Sequence, residues 1–374
     1  MATFRPLAFF LGATFAVSFA GCGNKNSIPV ATGDGGATAT CASEKANPSL
    51  QKDEFADCAT CTVPVLSPPL TCTEGKPITA CCVQEQNPNV ELARATGLNY
   101  NSAPAGQTDV DLSCLDTPKA LGTPQIVTVT GYVKLFSTGD DSTGVKIEMY
   151  EAGPNGALGK LVGTPTATTD TSLFKDPKPT WSKKCPVDGC TLRQFTYVGV
   201  PTETPLIVKT SDAKASQKWS ELYDYNIYFA NDSVQAGTVA YDASAVASTD
   251  VNTIASAAGG FTIKADRGVL AGEVHDCGDV RLSGARVNTD YRPEGEMFYF
   301  GDNEADPLPD KQRTTGTSKL GLFGALNYQT NTPIRISAIG QYKGQRVLIG
   351  TITVQVFPGA VTALSFRGRR PWQK

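Results

Sequence analysis

One histidine, His275, and eleven cysteines bound what this 374-residue chain can do by side-chain chemistry. A Ser-His-Asp arrangement can be written with His275 and either Asp276 or Asp279, but the chain lacks a Gly-x-Ser-x-Gly elbow. Adjacent residues on a strand also point to opposite faces, which separates His275 from Asp276. The expectation is a non-enzymatic protein in which His275 is an exposed strand-end residue. Asp302-Asn-Glu-Ala-Asp306 offers oxygens to calcium, yet it has neither the glycine nor the terminal glutamate of an EF-hand loop. It reads as an acidic hairpin tip, and no cofactor or metal is expected.

The cysteines are unevenly spread. Cys41, Cys58, Cys61, Cys72, Cys81, Cys82 and Cys114 crowd a proline-rich stretch with few long periodic apolar runs. Such a segment builds little core of its own and needs bridges. Cys58-x-x-Cys61 could hold zinc or cycle redox states, but Cys81-Cys82 is not a second Cys-x-x-Cys and no histidine lies nearby, so structural disulfides are the reading. The short turn from Cys185 to Cys190 can close on itself. If it does, Cys277 is left to join one of the N-terminal cysteines and tie that module to the second of the two repeats set out below. Sequence alone gives no other connectivity.

Trp219, Tyr223, Tyr225, Tyr228 and Phe229 form the densest aromatic stretch. With a period of two, Tyr223 and Tyr225 share a sheet face, as a sugar-stacking platform with Trp219 would require. The same spacing serves a hydrophobic core, and solvent exposure decides between the two.

The elements that must position these residues form a tandem repeat. Gly131, Val133, Gly144, Val145 and Ile147 match Gly272, Val274, Gly284, Ala285 and Val287. Further on, Thr202, Thr204, Pro205, Leu206 and Val208 match Thr330, Thr332, Pro333, Ile334 and Ile336. Both copies are rich in short alternating runs of Val, Ile, Thr, Tyr and Phe separated by turn signals, which predicts β-sandwiches. Residues 250–258, closed by Gly259-Gly260, predict a short helix capped by Ser248, Thr249 or Asp250. The resulting plan is a cysteine-rich module at 41–120, a first sandwich at 124–236, a helical spacer at 241–260, a second sandwich at 261–368 and a basic tail at 369–374. Arg367 is grouped with that tail as solvated charge. A formal net charge of −3 gives no field for nucleic acid.

The N-terminus carries Arg5, an apolar run from Leu7 to Ala20 and then Gly21-Cys22. This is a secretory signal over 1–21, too short to span a bilayer comfortably. Ser18-Phe19-Ala20-Gly21-Cys22 resembles the lipobox of bacterial lipoproteins, with Phe19 where Leu is usual. That resemblance implies an acylated Cys22 as the new N-terminus, held in a lipid bilayer, with 22–40 as a Gly-, Ala- and Thr-rich tether. Gly23 after the cysteine resembles lipoproteins sent on to an outer membrane. Setting Cys22 aside leaves ten cysteines, an even number for pairing in an oxidising compartment.

The two copies, together with the closing Phe357-Pro-Gly-Ala-Val-Thr-Ala-Leu-Ser-Phe366, resemble the carboxypeptidase regulatory-like domain. The resemblance covers about 126–230 and 261–368, and it implies a transthyretin-like Greek-key sandwich without catalytic residues of its own. Metallocarboxypeptidases, hydrolases of the transthyretin fold and intradiol dioxygenases all need more than one histidine, which this chain lacks. The expectation is a lipid-anchored envelope protein with a structural, adhesive or protein-binding role. A carbohydrate or peptidoglycan binder is the alternative and a hydrolase the third reading.

Overall fold

The computed structural model describes residues 90–98, 100–115, 120–136, 141–175, 192–214, 218–260, 262–289, 297–304, 306–313 and 315–367. Cys22, the tether, the six cysteines from Cys41 to Cys82, Cys185, Cys190 and the tail at 369–374 lie outside them.

The described chain is mainly β. Strand β1 (Ala93–Arg94) precedes the first repeat, which consists of β2 (Ile126–Leu135), β3 (Val145–Ala152), β4 (Leu158–Ala167), β5 (Phe174–Lys175), β6 (Leu192–Pro201), β7 (Leu206–Asp212), β8 (Leu222–Ile227), β9 (Thr238–Ala240) and β10 (Ala243–Ala245). Helix α1 (Ser248–Gly259) leads to the second. That repeat holds β11 (Arg267–His275), β12 (Leu282–Ser283), β13 (Arg286–Thr289), β14 (Phe298–Phe300), β15 (Pro309–Asp310), β16 (Leu322–Gln329), β17 (Pro333–Tyr342), β18 (Gln345–Gln355) and β19 (Val361–Arg367). Alternation drives these strands: Val145, Ile147 and Met149 of β3 are fully buried, while Lys146, Glu148 and Tyr150 between them are not.

The matched stretches occupy equivalent places. In the first repeat β2 pairs antiparallel with β6 and parallel with β9 and β10, and β7 lies between β3 and β8. In the second, β11 pairs antiparallel with β16 and parallel with β19, and β17 lies between β13 and β18. Gly131 and Gly272 sit within β2 and β11, where an added Cβ would meet the Tyr241 carbonyl at 1.7 Å and the Leu364 carbonyl at 2.2 Å. Both glycines are there because another backbone passes too close for a side chain. Thr204 and Thr332 each turn their hydroxyl back to the carbonyl two residues earlier.

The helical-spacer expectation needs correction. Residues 241–260 begin with strand β10, which together with β9 completes a sheet of the first repeat, so that repeat runs past 236. The helix starts after Ala247, an N-cap without a side-chain hydrogen bond, and ends on left-handed Gly260. No strand forms at 262–266, and the second repeat begins at β11. More consequentially, β19 inserts between β11 and β8, parallel to both. This gives a nine-stranded sheet in the order β15-β14-β16-β11-β19-β8-β7-β3-β4. The two repeats share this sheet through main-chain hydrogen bonds, because β8 and β19 would otherwise each present an unpaired edge.

The covering layers are staggered. On one face of the shared sheet, β2 and β6 close a core with Ile147, Met149, Leu206 and Val208. On the opposite face, β13, β17 and β18 close a core over Leu270, Val274, Leu364 and Phe366 that also takes Ile207, Tyr223 and Tyr225 from the first repeat.

The described part of the N-terminal module straps the second repeat. Strand β1 pairs with β12, and Leu92 and Val110 enter the second core. Asp276, at 0% side-chain exposure, accepts Arg94 Nε at 2.5 Å and the backbone N–H groups of Asp111, Gly278 and Val280. Such a full set of donors is what a buried carboxylate requires. A disulfide joins Cys114 to Cys277 across 163 residues, so the strap is covalent.

Candidate functional site

The site follows from what three neighbouring strands put on the first of those faces. Val269 of β11, Val361 of β19 and Leu222 of β8 stand in one row. The next row is Ala271, Ala363 and Asp224, and beyond it lie Glu273, Ser365 and Asn226, then His275 and Arg367. Along the strands the face thus passes from apolar, through small, to charged.

Gly324 of β16 adjoins Ala271. A Cβ on Gly324 would meet the Phe298 ring at 2.6 Å, so the glycine lets that ring lie flat on the sheet. The small residues set a low floor beneath Phe136, Phe298, Phe300, Val246 and the Val251 and Ile254 face of α1. The result is a cavity of about 640 Å³. This volume lies within the range of small-molecule sites, roughly 300–1,000 Å³.

At the polar end, His275 is held between two carboxylates. Its Nε2 lies 2.7 Å from Glu273 Oε2, and its Nδ1 lies 3.0 Å from Asp279 Oδ1. Arg281 binds the other Glu273 oxygen at 2.8 Å, and Arg367 bonds Asp279. Asn101 of the N-terminal strap donates to Asp279 at 2.9 Å. Burial alone would pull the His275 pKa down, but its hydrogen bonds to Asp279 and Glu273 outweigh this and raise it. Burial would raise Glu273, yet Arg281, His275 and Arg367 hold it well below the usual carboxylate range. Asp279 is lowered likewise, chiefly by the His275 hydrogen bond acting against burial. An imidazolium that donates from both nitrogens has no lone pair left to take a proton.

The expectation of an exposed His275 is therefore wrong. It does end strand β11, but it is 0% exposed, because the 276–281 turn, Arg367 and the strap enclose it. Asp276 is engaged in holding the strap through Arg94 and Asp111, as described above. Arg367 is not part of a solvated tail: it closes β19 and reaches Asp279.

The aromatic stretch is interior. Trp219 is 4% exposed, and its Nε1 donates to the Thr143 carbonyl at 3.1 Å. Tyr223 stacks on Phe357 at 3.9 Å between centroids, and Tyr225 donates to the Gly156 carbonyl at 2.7 Å. These rings cannot stack on a ligand, because the second repeat's covering layer already lies over both tyrosines. The acidic loop at 302–306 joins the paired strands β14 and β15. Its Asp302 takes Arg313 at 3.2 Å. Among the described residues, no group of three or more His, Cys, Asp or Glu is placed to hold a metal ion.

Sequence reasoning missed Asp224 and Asn226. Asp224 accepts the Tyr241 hydroxyl at 3.2 Å, and burial pushes its pKa up to about 6 against the pull of Arg367 and of that hydroxyl. Asn226 takes φ +65° where β7 and β8 slip register, a left-handed position that Asn tolerates. The available signal was Leu222-Tyr-Asp-Tyr-Asn226 itself, in which polar residues alternate with large rings inside a strand.

A comparison of the chain with protein-family models and with curated proteins finds no match.

Proposed function

We propose that this is a non-enzymatic binding protein of the cell envelope, anchored in a bilayer by an acylated Cys22, whose cavity takes a small and largely apolar molecule. The observation that carries the reading is the floor of Ala271 and Ala363, which keeps a cavity of about 640 Å³ under aromatic and aliphatic walls. A sheet face meant only for packing would carry larger side chains at those positions. The signal, the lipobox resemblance and the Cys114–Cys277 disulfide favour an oxidising compartment, with the protein on an outer membrane facing periplasm or surface. The paired repeats are read as transthyretin-like Greek-key sandwiches of the carboxypeptidase regulatory-like kind. With both nitrogens engaged, His275 favours a structural role over catalysis. Sugar stacking on Trp219, Tyr223 and Tyr225 is not part of the proposal, since those rings are buried.

The test uses the neutral fluorescent probe N-phenyl-1-naphthylamine. The full chain should enhance its emission saturably, and an Ala271→Leu, Ala363→Leu double variant should lose the enhancement while keeping its circular dichroism. Equal enhancement by a folded double variant would move the binding site elsewhere.

A further inference from the structure

Resting on the cavity reading, we propose that the bound molecule carries a cationic amine head, paired with Asp224 and donating to Asn226, and an apolar body extending over Val269 and Val361 toward α1. The argument is one of unmet pairing. Among the described residues three cations line the cavity, and each is engaged by a carboxylate: Lys134 by Asp242 at 2.8 Å, Arg281 by Glu273 at 2.8 Å and Arg367 by Asp279. Asp224 is the carboxylate left over. Among the described residues it has no cation within ion-pair distance, and its one hydrogen bond is the Tyr241 hydroxyl. Asp224 is half-buried on the cavity wall, so a counter-charge that enters the cavity can reach it.

A second, independent observation points the same way. Asn226 is 6% exposed and lines the cavity; its amide nitrogen donates to the Ser365 carbonyl at 2.8 Å, and among the described residues its Oδ1 has no hydrogen-bond partner. Asp224 and Asn226 both line the cavity, and the capacity that the described residues leave unused at both is for accepting hydrogen bonds. An ammonium group brings three donors and the missing charge. A carboxylate ligand would instead add charge next to Asp224 and Glu273 and would have to take a cation away from its partner.

Orientation follows from the rows of the sheet. The head belongs over the Asp224 row, and the body lies over the apolar row of Leu222, Val269 and Val361. The groups facing Asp224 are Arg367 on β19, Glu273 on β11 and Tyr241 ahead of β10, with Lys134 and Asp242 at the cavity margin. Protonation of Asp224 near pH 6 removes the pairing charge, so amine binding should weaken as pH falls through that value.

The experiment is calorimetric titration of the full chain carrying Cys22→Ser, which keeps bilayer partitioning out of the measurement, with octan-1-amine, octan-1-ol and octanoate. At pH 7.5 the amine should bind about ten- to a hundredfold more tightly than the other two, the worth of a charge-assisted hydrogen bond. That advantage should shrink at pH 5, and Asp224→Asn should abolish it while leaving octan-1-ol binding intact, which also shows that the variant is folded. If the variant fails to fold, the pH comparison on the parent chain decides. Octanoate or octan-1-ol binding as tightly as the amine would overturn the cationic head and leave the cavity reading standing. No binding of any of the three would overturn both.

Discussion

The two faces of the shared sheet are built by the same three strands and behave oppositely. Toward β13, β17 and β18, strands β8, β11 and β19 present Tyr223, Tyr225, Leu270, Val274, Leu364 and Phe366, and every one is buried in a filled core. Toward α1 they present Leu222, Val269 and Val361, packed with the helix in a third core, and then Asp224, Asn226, Ala271, Glu273, Ala363 and Ser365 around a cavity. The period of two is identical, so the difference lies in side-chain volume and charge alone. One face holds the repeats together, and the other packs Leu222, Val269 and Val361 against α1 and lines the cavity to which the proposal assigns a ligand.

Substitutions on the two faces should separate these roles. The largest effect is expected at Tyr225→Ala, which removes a 2%-exposed ring and two hydrogen bonds, to Gly156 and from Gln355. It should cost about 3–5 kcal/mol in chemical denaturation, and both repeats should melt at a lower temperature together. A loss confined to one repeat would break the picture of a common core.

Next is His275→Ala, which strands Glu273 and Asp279 without their shared cation. Both carboxylates keep an arginine and are partly solvent-exposed, so the cost should be about 2–3 kcal/mol, below that of a fully buried pair. The same residue sets a pH dependence. The His275 pKa is raised in the fold, so its contribution is fully present below its unfolded value near 6.5 and is lost as pH rises through the higher folded value. Asp224 acts in the same direction: raised to about 6, its contribution is present below its ordinary value of 3.8 and lost as pH rises through 6. Glu273 and Asp279 are lowered, so theirs is present above the ordinary carboxylate values and lost under stronger acid. Denaturation midpoints should therefore peak near pH 5 and decline toward pH 8, and Asp224→Asn should flatten the lower part of that decline.

The smallest effect is expected on the floor of the cavity. Ala363→Leu adds apolar volume where the sheet has room, and it should leave stability unchanged or raise it by about 1 kcal/mol, measured by urea unfolding. A cost of several kcal/mol would mean that the space is already filled.

Much of this was legible in the residues. Short alternating runs in both copies marked a mainly β chain, and Gly259-Gly260 marked the end of α1. Strand β4 carries no clear alternation, because Gly159, Gly163 and Pro165 interrupt a mostly exposed edge pattern. The union of the repeats was hidden for a different reason. A parallel pairing of β19 with β8 joins residues more than a hundred positions apart, and no local period encodes it. The same pairing buries both faces of β8, which turned a candidate stacking platform into core and left Asp224 facing a cavity. The exposure of His275 was misread because a strand end is exposed only if nothing covers it. Here Asp279, Arg281 and Arg367 do so, the last of these arriving from the far end of the chain.

The shared sheet underlies both the filled face and the cavity, and amide hydrogen exchange on the full chain tests it most directly. The account predicts that the amides of β8, β19 and β11 exchange with one common opening free energy, equal to that of global unfolding. Exchange of β8 in a separate, less stable unit, with β19 protected only alongside β11, would contradict it.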